Sequence, residues 1–406
     1  MNNPASSCSH PSNIYGRNDH LQPFIPQKDT SLCRLSTVSL ITNIWSGGVL
    51  ENDIQNILVS NQTLYKERST LIQKAADIVL KLQLPGTLLQ EVLHLLEWIS
   101  LDFFAYLDHL TSNEFFPFKG HVRDIVKNIK WDMHGGIDEV QSFRNMKHSN
   151  YLYNYFLSCL YCLEDDVIEM WQRLAPVHRP MFTLKKINSR GFDLYASYII
   201  YYWTCRVKRR EFPQESLQDP VGLFTEIKDS TVHLKMLAVS LHCYNIHSFK
   251  YFWRKLDQNE RVTALALLCD RYEIDGSRTL SNFYDTAKNS VEINLFVLSQ
   301  VDINCGVNIV RRCLPQMILN FWQWWQVHHL ILPMFEYYLN VLDPYTYEQL
   351  FHMLRMMKTS EYSPKTEILY RMWLASPPHL KCLINEQERC DLLLKNYVRE
   401  SKLEDS

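Results

Sequence analysis

A chain of 406 residues is long enough for two or three ordinary domains, or for one extended array around a continuous core. Its 11 glycines are too few for turn-rich β folds and for phosphate-cradling α/β folds, which need glycine where φ turns positive or the backbone meets a ligand. At a formal net charge of -2 no overall positive field draws a nucleic-acid backbone or an anionic membrane, so no nucleic-acid partner is expected.

Residues 1–35 carry Pro4, Pro11, Pro23 and Pro26 among Asn, Ser and Gln, with little apolar periodicity, and read as a flexible polar arm. The first residues lack the basic start and apolar core of a secretory signal, and no run approaches the roughly 18 apolar residues of a membrane span. The 11 cysteines are scattered through apolar, helix-patterned sequence and read as buried reduced thiols, which points to a cytoplasmic or nuclear setting. A helical array is expected over 36–400, with a division into two halves near 210–230, and a disordered tail over 401–406.

Leu71, Ala75, Ile78 and Leu82 share one helical face. Pro85 and Gly86 then turn the chain, and Thr87 with Gln90 fits a capping box for a helix presenting Leu89, Val92, Leu93 and Leu96. Glu164, Asp165 and Asp166 precede a helix starting near Val167, where carboxylates favour the positive end of the helix dipole. Arg206, Lys208, Arg209 and Arg210 form a dense basic cluster that reads as a solvated helix end. The clearest hairpin runs from Val232 to Leu256: Leu234, Leu237, Ala238 and Leu241 line one helix, Cys243 to Asn245 turn, and Ile246, Phe249, Trp253 and Leu256 line the next. After a polar break from Asp257 to Glu260, Val262, Leu265, Ala266 and Cys269 begin a third. Asp343 with Pro344, and Ser363 with Pro364, are N-cap and first-turn pairs for two further helices. No sustained alternation of apolar and polar residues occurs, so the fold class is all-α, stacked helical hairpins in an α-solenoid or irregular helical array.

The second-helix pattern recurs as Val167, Met170, Trp171, Leu174; as Phe249, Phe252, Trp253, Leu256; and as Tyr347, Leu350, Phe351, Leu354. Looser matches fall at Leu280, Phe283, Tyr284, Ala287 and at Ile318, Phe321, Trp322, Trp325. The stretches MLAVSLHCYNIHSFKYFWRKL (Met236 to Leu256) and LYNYFLSCLYCLEDDVIEMWQRL (Leu152 to Leu174) resemble degenerate ankyrin-type repeats. The Thr-Pro-Leu-His motif of that family is absent, and Tyr244 and Asn245 stand where its turn glycine would be, so other two-helix solenoids remain open. The resemblance implies a protein-interaction module or scaffold with no catalytic residues, cofactor or metal, and a protein partner.

Three patterns are candidates for chemistry. Cys159 and Cys162 form a C-x-x-C, but inside a helical run with no second pair at zinc spacing, so packing explains them. His328 and His329 are adjacent and face different sides of a helix, beside Trp322, Trp324 and Trp325, an aromatic group suited to core or to a partner-facing patch. Arg173 and His178 have the Arg-x-x-x-x-His spacing that resembles the active-site motif of all-helical HEPN-type ribonucleases; Pro176 interrupts the helix that would present both. A metal-independent ribonuclease using that pair is the alternative to a non-enzymatic scaffold. The pairs Gly47-Gly48 and Gly135-Gly136 read as loop punctuation.

Overall fold

In a computed structural model the protein is described over residues 31–47, 64–111, 122–146, 151–188, 194–214, 227–275, 283–300, 328–339, 342–356 and 364–382, with single positions inside 50–56, 217–225 and 313–322. The chain is all-helical, 78% helix, and no strand occurs among the described residues; an isolated bridge joins Trp131 and Ile137. The elements are α1 (Leu32–Ser46), α2 (Leu64–Leu80), α3 (Gly86–Thr111), α4 (Val122–Asn128), α5 (Glu139–Met146), α6 (Tyr151–Leu160), α7 (Glu164–Arg173), α8 (Leu184–Asn188), α9 (Leu194–Val207), α10 (Val232–His242), α11 (Ile246–Trp253), α12 (Gln258–Asp275), α13 (Phe283–Gln300), α14 (His328–Tyr338), α15 (Pro344–Met356), α16 (Pro364–Ala375) and α17 (Pro378–Lys381).

Element ends follow from local hydrogen bonding, and two differ from expectation. The polar arm gives way earlier than 35, because Ser31 caps α1 by accepting from the Arg34 amide. Helix α3 opens at Gly86, with the Pro85 carbonyl accepting from Leu89, so Thr87 lies within the first turn and does not cap it. The acids Glu164 to Asp166 sit inside the first turn of α7, still facing the positive end of the dipole. Asp343 caps α15 as expected, its carboxylate accepting from the Thr346 amide at 2.9 Å and hydroxyl at 2.8 Å. The polar break before α12 is a reciprocal capping box: Glu260 donates its amide to the Asp257 carboxylate, and Asp257 donates its own to the Glu260 carboxylate. Ser363, Leu280, Trp324, Trp325, Gly48 and the 401–406 tail lie outside the described residues.

Helices α6 with α7 and α10 with α11 form hairpins built to one hydrogen-bond plan. Each residue of the first corresponds to the one 82 positions later, Ser158 to Ser240 and Leu174 to Leu256. In the first, the Leu163 amide donates to Ser158 and the Cys162 amide to Cys159; in the second, the Asn245 amide donates to Ser240 and the Tyr244 amide to Leu241. This is the Schellman closure of a helix C-terminus, and it needs a left-handed residue, supplied here by Cys162 (φ 52) and Tyr244 (φ 51). The serines also match, each hydroxyl donating to the carbonyl four residues back at 2.7 Å. Val167, Leu174, Phe249, Phe252, Trp253 and Leu256 are buried, as are Tyr347, Leu350 and Phe351 of α15. Each such side chain contributes about 1.5–3 kcal/mol of transfer free energy.

The two hairpins meet at their turns. Asn245 caps α11 through the Ser248 amide, and its side-chain N–H₂ donates to the Leu160 carbonyl at the end of α6. Tyr161 and His247 pack edge to face at 5.0 Å. Helix α9 lies between the hairpins, against α6, α7 and α10. Tyr202 of α9 touches Phe252 at 5.0 Å, so packing crosses the 210–230 segment where a division was expected.

Replacing Asn245 with Ala removes a helix cap and the link between hairpins together. Chemical denaturation of Asn245→Ala is expected to show a loss of about 1–2 kcal/mol, against a few tenths for the exposed Gln73→Ala.

Candidate functional site

The Arg-x-x-x-x-His pair is split by the end of a helix. Arg173 is the last residue of α7 and pairs with Glu169 at 2.6 Å, with its guanidinium 6.0 Å from the Tyr151 ring. His178 is exposed and opens a single 3-10 turn, Arg179–Met181, beyond Pro176. The neighbouring Arg179 is more deeply engaged: it donates to the carbonyls of Leu174, Trp171 and Gln172 at 3.2–3.4 Å, satisfying the open C-terminus of α7. No common helix face presents Arg173 and His178 to one reacting atom.

Cys159 and Cys162 are buried at the α6–α7 turn, where the Trp203 indole N–H donates to Cys162 Sγ at 3.4 Å. Burial pushes both thiols up, Cys162 to about 12, whereas redox exchange and metal binding need the thiolate. Cys269 and Cys313 are also buried, their sulfurs 2.6 Å apart, while Cys33 and Cys382 are exposed. Among the described residues no group of three His, Cys, Asp or Glu is placed to hold a metal ion. Trp322 is buried and its carbonyl contacts His328 Nε2 at 2.9 Å, which assigns that tryptophan to the core.

A convergence of charge that sequence reasoning missed lies where α3, α5 and α13 meet. Lys288 Nζ sits 3.5 Å from Asp102 Oδ1 and 3.4 Å from Glu139 Oε1, and the Ile137 amide donates to Asp102 Oδ2 at 3.2 Å. The side chains of Asp102 and Lys288 are only 6% and 10% exposed and that of Glu139 is 25% exposed, so this is an ion triad that runs from the core to its rim. Desolvation raises Asp102, opposed by the Lys288 ammonium and the Ile137 amide; the carboxylates around Lys288 outweigh its own desolvation and hold its pKa up. One turn along α13, burial raises Glu292 against the pull of Lys288 and Lys250, and burial lowers His247. The loop between Trp131 and Ile137 is shaped to reach Asp102. Asp132 accepts from the amides of His134 and Gly136, and Gly135 holds φ +86, where a Cβ would meet Ile99 at 2.7 Å. The signal for this site was a lone acid in the apolar run Trp98 to Leu107 and the Lys288, Glu292 pair one helical turn apart.

A second polar feature is a cavity of about 560 Å³ lined by Phe224, Leu217, Thr225 and Lys235 among others. The Lys235 ammonium donates to Gln214 Oε1 at 2.6 Å and to the Lys228 carbonyl at 2.5 Å, so it ties the first turn of α10 to the preceding segment.

On the surface, the ends of α7 and α9 bring cations onto aromatic rings. The Trp171 ring is covered by Arg179 at 5.5 Å and by Lys208 at 5.3 Å. Burial and the like charge of Arg210 lower the Lys208 pKa. Arg206 instead turns to Glu164 at 3.3 Å, and Arg209 (φ 52) makes the Schellman closure of α9, so the basic cluster is a helix end as expected. Comparison of the chain with protein-family models, with curated proteins and with solved structures finds no match.

Two measurements probe these sites. Lys288→Met leaves the buried Asp102 carboxylate without the ammonium that offsets its desolvation, and is expected to cost about 3–5 kcal/mol at pH 7. Because burial makes Asp102 take up its proton more readily folded than unfolded, stability is regained as pH falls toward 4, which denaturation at the two pH values reads out. Alkylation of the native chain at pH 8 is expected to mark Cys33 and Cys382 and to spare Cys159 and Cys162, as peptide mass mapping will show.

Proposed function

We propose that the chain is a non-catalytic scaffold of ankyrin-like helical hairpins that binds a protein partner in the cytoplasm or nucleus. The observation that carries this reading is the pair of hairpins sharing one closure at an 82-residue offset and touching at their turns. Units that repeat a hydrogen-bond plan and stack turn to turn build an array whose faces are surface, not cleft, and such arrays act by complementarity to a partner. The chemistry of the candidate sites agrees: buried Asp102 and Lys288 face each other, the C-x-x-C thiols stay protonated, and the exposed Arg173 pairs with Glu169.

The test uses the full chain. Partners are captured from native cells, the best candidate is purified, and binding is measured by calorimetry. A stoichiometric complex is expected, with no RNA hydrolysis by the wild-type chain or by the double variant Arg173→Ala, His178→Ala. Hydrolysis of an RNA substrate by the wild-type chain and its loss in that variant would replace the scaffold with the ribonuclease.

A further inference from the structure

Charge along this chain is unevenly placed. Between Arg173 and Arg210 stand nine Lys and Arg residues and a single acid, Asp193, although the whole chain carries a formal net charge of -2. The fold gathers many of these cations. Arg179 and Lys208 share the Trp171 ring; Tyr155 meets Phe182 at 4.6 Å and Thr204 at 3.1 Å, which draws the 3-10 turn to the last turn of α9; and α8, with Lys185, packs on α9.

Helix ends account for part of this. Two C-termini meet here, each equivalent to roughly half a negative charge, so about one cation balances both. Arg179 already caps α7, and Arg173 and Arg206 are balanced by Glu169 and Glu164. Lys208, Arg209 and Arg210 form no ion pair with a carboxylate among the described residues, and Arg209 and Arg210 are exposed. That is more positive charge than the local structure uses. Beside it stand apolar side chains in water: Val177 is 75% exposed in the turn between Arg173 and Arg179, Ile168 of α7 is 45% exposed, and Tyr151 is 42% exposed beneath Arg173.

We propose that this edge, formed by the C-terminal ends of α7 and α9 and the turn carrying Val177, docks an acidic protein segment that also bears apolar side chains. The inference rests on the protein-binding reading above and names the chemistry of the partner. Carboxylates on the segment meet Lys208, Arg209 and Arg210, while its apolar residues cover Val177 and Ile168. A single nucleic-acid strand fits less well, because its bases need open aromatic faces, and here Trp171 is already covered by two cations and Tyr151 by one.

The test is fluorescence anisotropy with the full chain and three labelled probes: a 20-residue peptide alternating Glu or Asp with Leu or Phe, the same peptide with Gln and Asn for the acids, and oligouridylate. The acidic peptide is expected to bind at least tenfold more tightly than its amide counterpart and than oligouridylate, and to weaken as salt rises. Lys208→Glu with Arg210→Glu is expected to lower its affinity at least tenfold, and the milder Lys208→Gln with Arg210→Gln about threefold. Lys381→Glu, remote in the chain, should change nothing, with circular dichroism confirming that each variant folds. Equal binding of the acidic and amide peptides, or tighter binding of oligouridylate, overturns the proposal. A partner complex that forms with undiminished affinity for the charge-reversed variant also overturns it, while leaving the scaffold reading intact.

Discussion

The interior of this protein is organised around one ammonium group. Lys288 stands between Asp102 and Glu139 at 3.4–3.5 Å, and through them α13 is tied to α3 and α5. Taking an ammonium and a carboxylate out of water costs several kcal/mol per ion, while attraction between unit charges near 4 Å is on the order of 4 kcal/mol at the effective dielectric of protein interiors. Those magnitudes nearly cancel, so the triad adds little net stability. What it supplies is selection, because any packing that slides α13 along α3 strands a charge in the core. The Ile137 amide on Asp102 extends the constraint to the loop after Trp131, and Gly135 gives that loop its sharp turn against Ile99.

The same economy governs the helix ends. Glycine is the ordinary residue for the left-handed position that closes a helix, yet α6, α9 and α10 are closed by Cys162, Arg209 and Tyr244. A left-handed non-glycine residue costs roughly 1–2 kcal/mol; each of these ends offsets it through two backbone bonds, and those of α6 and α10 also through packing of the turn on its neighbour. Cys162 receives the Trp203 indole, and Tyr244 precedes Asn245, whose side chain reaches α6. The turns are therefore contact surfaces between hairpins as well as connections within them.

This explains what could be read from the sequence. The helical faces were legible because burial imposes a 3.6-residue period: Leu234, Leu237, Leu241, Phe249 and Trp253 were assigned to the inside and are there. The cap at Asp343 was legible because its chemistry is local. The turns were only partly so, since the signal for a Schellman closure is glycine and this chain uses Cys, Arg and Tyr. The opening of α3 at Gly86 was misplaced by two residues because a Thr-x-x-Gln spacing is satisfied as readily inside a first turn as before it. Asp102 alone in its apolar run signals a buried acid, but the triad could not be assembled from the sequence, because Asp102 and Lys288 lie 37 and 149 positions from Glu139 and only the fold brings them together.

The two charge groupings divide the molecule's tasks. In the core, one cation faces carboxylates within 3.5 Å, and hydrogen bonds take up the lone pair that remains, leaving little free to act on a substrate. At the edge formed by α7 and α9 the balance is reversed: cations outnumber acids, rings are covered by cations, and Val177 stands three-quarters exposed. Burial requires each charge of the triad to face an opposite one, whereas water tolerates surplus charge at the surface and leaves it available to an incoming chain. Screening over about 8 Å at physiological ionic strength means such a surplus acts only on what already lies near the edge, so recognition there depends on shape and apolar contact as much as on charge.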